Sequence, residues 1–263
     1  MKRRISLQSL LLLIGSFTFV FLLGEAVHES GHWLAHQFYN NEGVGMHIDP
    51  FGGSHITGVG ALPMAVMGVT SLAGPLFNLL LGVVLSILVF PRRSPLSLPF
   101  VLWGPVAMVQ EGVTFSLGLL TPGGDAAWVA TAMGIPQGVI LAFGIGLLLA
   151  GLAGITTLLP VAGIGVGTPL GGKLLVVLVG FGFLMLIRSI YAFFSAPDLV
   201  VENLVPLIFA FLLSILLALG CKPLWGWLGR RMDLRTRTVS WGAATLALCL
   251  GAVMFFVQMV AVA

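Results

Sequence analysis

Residues 5–36 read ISLQSLLLLIGSFTFVFLLGEAVHESGHWLAH, and this stretch decides the fold class. From Ile5 to Gly24 it holds no charged side chain, a run as long as the roughly 20 apolar residues a helix needs to cross a bilayer. Its first acidic residue, Glu25, arrives together with three histidines, so polar chemistry is gathered at one end of the helix. The rest of the chain repeats the composition. Only 8% of its 263 residues are charged, against about 25% in a soluble domain. With 58% hydrophobic residues there is too little polar surface to cover a soluble globule. A cytosolic enzyme, a disordered chain and a nucleic-acid binder are excluded, and the apolar runs are continuous where an outer-membrane barrel would alternate.

Seven such runs stand between charged or Pro/Gly-rich breaks: Ile5–His36, Leu62–Phe90, Phe100–Leu120, Gln137–Leu159, Leu174–Phe194, Leu199–Gly220 and Ser240–Val262. The expected fold is an all-α polytopic membrane protein of about seven transmembrane helices, with the lipid bilayer as its surroundings. Lys2-Arg3-Arg4 ahead of the first run also resembles a signal peptide, but the helical apolar pattern continues to Trp33, so the helix is expected to be retained. Cys221 and Cys249 lack the spacing of a thiolate site. No sequence feature sets an oligomeric state.

Charge placement orients the chain. With the N-terminus inside, eleven of the twelve Lys and Arg fall in cytoplasmic segments, Arg188 alone lying in a span. The opposite loops hold Glu42, Asp49, Asp125 and Asp198 and no Lys or Arg. Positive residues flank the cytoplasmic ends of spans. The expectation is a multi-pass protein of the cell membrane with a cytoplasmic N-terminus and an extracytoplasmic C-terminus. His28 follows Arg4 by 24 residues, about 36 Å of helix, which puts it near the extracytoplasmic face.

His28-Glu29-Ser30-Gly31-His32 is an H-E-x-x-H motif. Positions i and i+4 share a helical face, so two imidazoles can converge on one metal ion. Glu29 is turned by about 100° from His28, beside the metal, where it can act as general base. Glu25 shares the histidine face, and either orients a ring or pairs with another buried polar group. His36, His47 and His55 read as interfacial histidines. A catalytic zinc takes three protein ligands and a water. The missing ligand is expected from Asp125, after the Pro122-Gly123-Gly124 break, with Glu111 of the third span as its rival. Gln110 and Thr114, one turn apart, are placed to line the same cavity. Between the first two spans, Asn40–Gly60 is too broken for a helix and suits a short hairpin or re-entrant loop.

In combination, His-Glu-Ser-Gly-His at 28–32, Pro-Phe-Gly-Gly at 50–53, Ala-Gly-Pro-Leu-Phe-Asn at 73–78 and Pro-Gly-Gly-Asp at 122–125 resemble the site-2 protease family of intramembrane zinc metalloproteases. The resemblance covers the first half of the chain. It implies a three-helix catalytic core within residues 1–136, Zn2+ held by His28, His32 and Asp125, Glu29 as base, and a membrane-protein substrate. Residues 137–263 are then four accessory spans. Gly52 and Gly53 would form the hairpin beside the site; with Asn78 and Gln110 they are the expected substrate-facing residues. Glu25 and Glu111 are expected to support the ligands. The family's third-span Asn before the Pro is absent, Ser116 and Gly118 standing there, and Gly124-Asp125-Ala126 replaces Leu-Asp-Gly. The family also implies zinc nearer the cytoplasm, against the charge pattern, which decides the orientation expected here. Competing functions are a membrane zinc hydrolase of a lipid amide, and a transporter or non-catalytic metal-bound scaffold.

Overall fold

The computed structural model describes residues 5–165 except 42, 51–53, 61, 93, 121 and 122; it also describes 168, 178, 182–184, 186–191, 193, 194 and 237–262. In order they form α1 (Leu7–Phe38), β1 (Gly45–His47), β2 (His55–Thr57), α2 (Met64–Val89), α3 (Leu98–Leu117), α4 (Asp125–Met133) and α5 (Gln137–Leu158). A short apolar helix α6 (Gly182–Tyr191) and α7 (Trp241–Val262) follow. Among the described residues, five helices are long and apolar enough to cross a membrane, namely α1, α2, α3 with the turn before it, α5 and α7. They match five of the seven expected runs. The run Leu174–Phe194 contains α6, and Leu199–Gly220 lies outside the described residues.

α1 and α3 are the inner helices, with 50% and 67% of their most apolar windows buried against 28% for each of the others. One core joins Leu12, Leu13 and Val20 of α1 to Leu102 and Val106 of α3, Leu152 and Ile155 of α5, and Ala243 and Ala247 of α7. Packing therefore crosses residue 136. Small residues set the crossings: a Cβ on Gly15 would strike the Ala247 backbone, and one on Gly112 would lie 2.9 Å from the Gly144 carbonyl. Close backbone approach of this kind is how helices associate where lipid is as apolar as their side chains. Leu76, Leu80, Ile87, Val253 and Val257 point outward, as helices facing lipid require.

After α1 the chain turns at Asn40, and β1 and β2 pair antiparallel with Met46 opposite Ile56 and His47 opposite His55. The Trp33 indole Nε1–H donates to the Val44 carbonyl at 3.2 Å, docking this hairpin on α1. The break expected after α3 leads into a further short helix. Gly123, at φ +82°, reverses the chain and Gly124 caps a new helix, α4, whose first residue is Asp125. Gly134, at φ +64°, ends α4 in the left-handed conformation that only glycine adopts cheaply.

Candidate metal centre

The i, i+4 spacing stacks His28 and His32 on one face of α1 with ring centroids 4.8 Å apart and ring planes at 74°. Their Nε2 atoms approach to 3.0 Å. The reversal at Gly123 brings the first residue of α4 to them, so that Asp125 Oδ2 lies 3.1 Å from Nε2 of His28 and 3.3 Å from Nε2 of His32. A four-coordinate cation with bonds near 2.0–2.1 Å spaces its ligand atoms by about 3.3 Å. The His28, His32 and Asp125 group could therefore hold a metal ion without rearrangement. Burial pushes the Asp125 carboxyl up, but the two imidazoles beside it outweigh this and hold it below the usual carboxylate range. It is an anion ready to bind a cation.

The other nitrogen of each ring is tied down, which fixes the tautomer and aims Nε2 at the shared point. His28 Nδ1–H donates to the Glu111 carboxylate at 3.0 and 3.1 Å. That carboxylate accepts from the Asn78 amide at 2.6 Å, and the Asn78 oxygen accepts from the Trp103 indole at 3.0 Å. The relay is sealed between α1, α2 and α3, with Asn78 at 0% and Glu111 at 1% exposure. His32 Nδ1–H donates to the Thr70 carbonyl of α2 at 2.7 Å. Glycines make this approach possible. A Cβ on Gly74 would collide with the His32 ring, and one on Gly31 would lie 2.7–2.9 Å from Ala73, Gly74 and Phe77.

A cleft of about 440 Å³ opens from the metal-ligand cluster between α1, α2, α4 and β2. Glu29, His32 and Asp125 form its polar floor, His36 and His55 its flank, and Ile56, Met67 and Trp128 its apolar wall. Of the two carboxylates that sequence left as rival ligands, Asp125 faces both Nε2 atoms and Glu111 the opposite nitrogen of His28.

Two expected placements are corrected. Asn78 is not among the described cleft residues, because both ends of its amide are committed to Glu111 and Trp103. Gln110 points between helices, donating to the Phe21 carbonyl of α1 at 3.2 Å, and is not among the described cleft residues. Of the two roles expected for Glu25 the structure shows the second: it pairs with Arg188 of α6 at 2.5 Å and not with a histidine ring. Thr114 bonds back to the Gln110 carbonyl of its own helix. Gly52 and Gly53 lie outside the described residues. His47 and His55 stack across the hairpin at 5.0 Å, away from the ligand cluster in the case of His47. Sequence reasoning missed the Thr70 carbonyl, Trp103 and Trp128. Trp128 alone had a legible signal, lying one turn beyond Asp125.

Comparison with protein-family models, curated proteins and solved structures finds no match to this chain.

Proposed function

We propose that the protein is an intramembrane zinc metalloprotease that hydrolyses peptide bonds in or beside the transmembrane helices of other proteins. The observation that carries this reading is the convergence of His28, His32 and Asp125, at tetrahedral ligand spacing, beside a cleft that His32, Asp125 and Glu29 line. Three protein ligands leave one coordination position open, the mark of a catalytic rather than a structural zinc site. A carboxylate beside such a site has work only if protons move.

Bound zinc would supply Lewis acidity, polarising the scissile carbonyl and making water acidic enough to attack at neutral pH. The chain's own groups do the rest. Glu29, free of the metal-ligand set, takes the proton that the attacking water releases and passes it to the departing amide nitrogen. Glu111 and the Thr70 carbonyl hold the two rings through both events. The mixed floor and wall of the cleft suit an extended backbone with apolar side chains. A helix hides its carbonyls in hydrogen bonds, so the substrate must unwind locally to be cut.

The test is to incubate purified, zinc-loaded protein with a panel of single-span membrane proteins and, separately, with lipid amides. Cleavage of spans that vanishes in Glu29→Gln supports the proposal. Glu29-dependent hydrolysis of lipid amides alone replaces it with a lipid hydrolase, and zinc at one per chain with neither activity replaces it with a non-catalytic metal protein.

A further inference from the structure

Arg188 of α6 is buried, at 4% exposure. An arginine enclosed in an apolar helix is costly unless each of its donors is used. Its guanidinium meets Glu25 of α1 at 2.5 Å, donates from Nε to the Pro50 carbonyl at 2.8 Å, and lies over the Phe21 ring at 5.2 Å. These contacts tie three segments distant in sequence: α6, α1 and the connection between β1 and β2.

The route of the hairpin along α1 gives the contact its meaning. Trp33 holds Val44 and the Ser30 hydroxyl lies 3.7 Å from the Met46 sulfur. Pro50 then reaches the level of Glu25 through Arg188. As the chain advances from 44 to 50, its partners on α1 step back from 33 to 25. The hairpin thus runs antiparallel to α1, past His32 and His28, toward the middle of the span. A backbone carbonyl shielded by protein within a span must find its donor in the protein. The Asp49 N–H donates to the Ser54 hydroxyl at 3.0 Å, so the position of Pro50 is passed on to Ser54 and to the His55 and Ile56 that line the cleft.

We infer that Arg188 is a positioning residue: by bridging the Pro50 carbonyl and the Glu25 carboxylate, it holds the hairpin wall of the cleft against α1. The accessory half of the chain thereby contributes to the site. The inference deepens the hydrolase reading, since a wall so held is what would set the substrate against the metal. Its first readout needs no activity.

The experiment uses the full chain in lipid nanodiscs, with Cys221→Ser and Cys249→Ser, and spin labels on Leu34→Cys of α1 and Thr57→Cys of β2. The inter-label distance distribution is expected to be narrow with Arg188 present and to broaden in Arg188→Ala, with zinc still bound at one per chain. Because Arg188→Ala leaves Glu25 unpaired and could fail to fold, the double variant Glu25→Ala/Arg188→Ala is measured beside it, and it too should broaden. A narrow distribution in the double variant overturns the inference, since the effect of the single change would then come from the orphaned carboxylate. Once a cleavable substrate is in hand, the double variant should lose on the order of 100-fold in kcat/KM, chiefly through KM. Absence of any cleavage would sink the protease reading and leave the distance result standing.

Discussion

Neutralising the three carboxylates around His28 and His32 should have three different consequences, because each stands on a different side of the candidate metal site. Glu29 lines the cleft outside the ligand set, so Glu29→Gln is expected to keep zinc at one per chain and to lower hydrolysis by about 10²–10⁴-fold. Asp125 completes the ligand set, so Asp125→Ala should lose the metal, as read by elemental analysis of the purified protein. Glu111 reaches only Nδ1 of His28, and Glu111→Gln should weaken zinc binding by about 10–100-fold without abolishing it. Full occupancy in Asp125→Ala together with loss in Glu111→Ala would exchange their roles. The two histidines and Glu29 were legible in sequence because one helical turn relates them. The choice between Asp125 and Glu111 was not, since each is brought to His28 from more than 80 residues away.

The crossing of α1 and α2 decides whether the histidine rings can be held at all. Gly31 and Gly74 face each other there, and the second gives its missing Cβ to the imidazole of His32. In an ordinary helix interior, alanine in place of glycine stabilises by about 1 kcal/mol. Gly74→Ala should do the opposite, because the new methyl would push His32 off the Thr70 carbonyl and away from Asp125. Zinc content should fall well below one per chain while the helical circular dichroism is kept; full occupancy would show that the ring does not need this space. The hydrogen-bonded relay across α2 and α3 predicts a smaller effect for Asn78→Leu. That change removes the donor to Glu111 without crowding a ligand. Ala73–Asn78 stood out in sequence as a broken, polar stretch of a span, but which of its residues met the metal helix depended on the angle at which α2 crosses.

For the protein as a whole, the open question is which side of the membrane the cleft serves. In the orientation expected from the charges, the hairpin and the start of α4 lie outside, and the His28, His32 and Asp125 group brings these two segments to the same end of α1. We expect a cysteine at Asn41 to be labelled by an impermeant reagent on intact cells, and one at Arg93 to be protected. Reversed labelling would invert the protein and leave the proposed zinc chemistry standing. The need for local unwinding yields a second expectation. Substrate spans carrying Gly or Pro near the scissile bond should be cut faster than rigid poly-Leu spans, and equal rates would count against cleavage within a helix.

Composition and run length alone determined that this is a helical membrane protein, because the requirement to hide backbone hydrogen bonds in lipid leaves few other folds for such a chain. The spacing of His28, Glu29 and His32 likewise determined that two imidazoles share a helical face with a carboxylate beside them, since helical geometry is the same wherever the helix sits. Only the tertiary structure decided what joins them. Asp125 reaches the histidines because two glycines reverse the chain and start α4 there. Glu25 turns from the histidines to Arg188, a residue 163 positions on. Asn78 is spent on holding Glu111 and Gln110 on the Phe21 carbonyl, not on the cleft. A polar side chain in a span must find a partner, but its sequence neighbours do not say which; that is settled by which helices pack together and where their glycines let them touch.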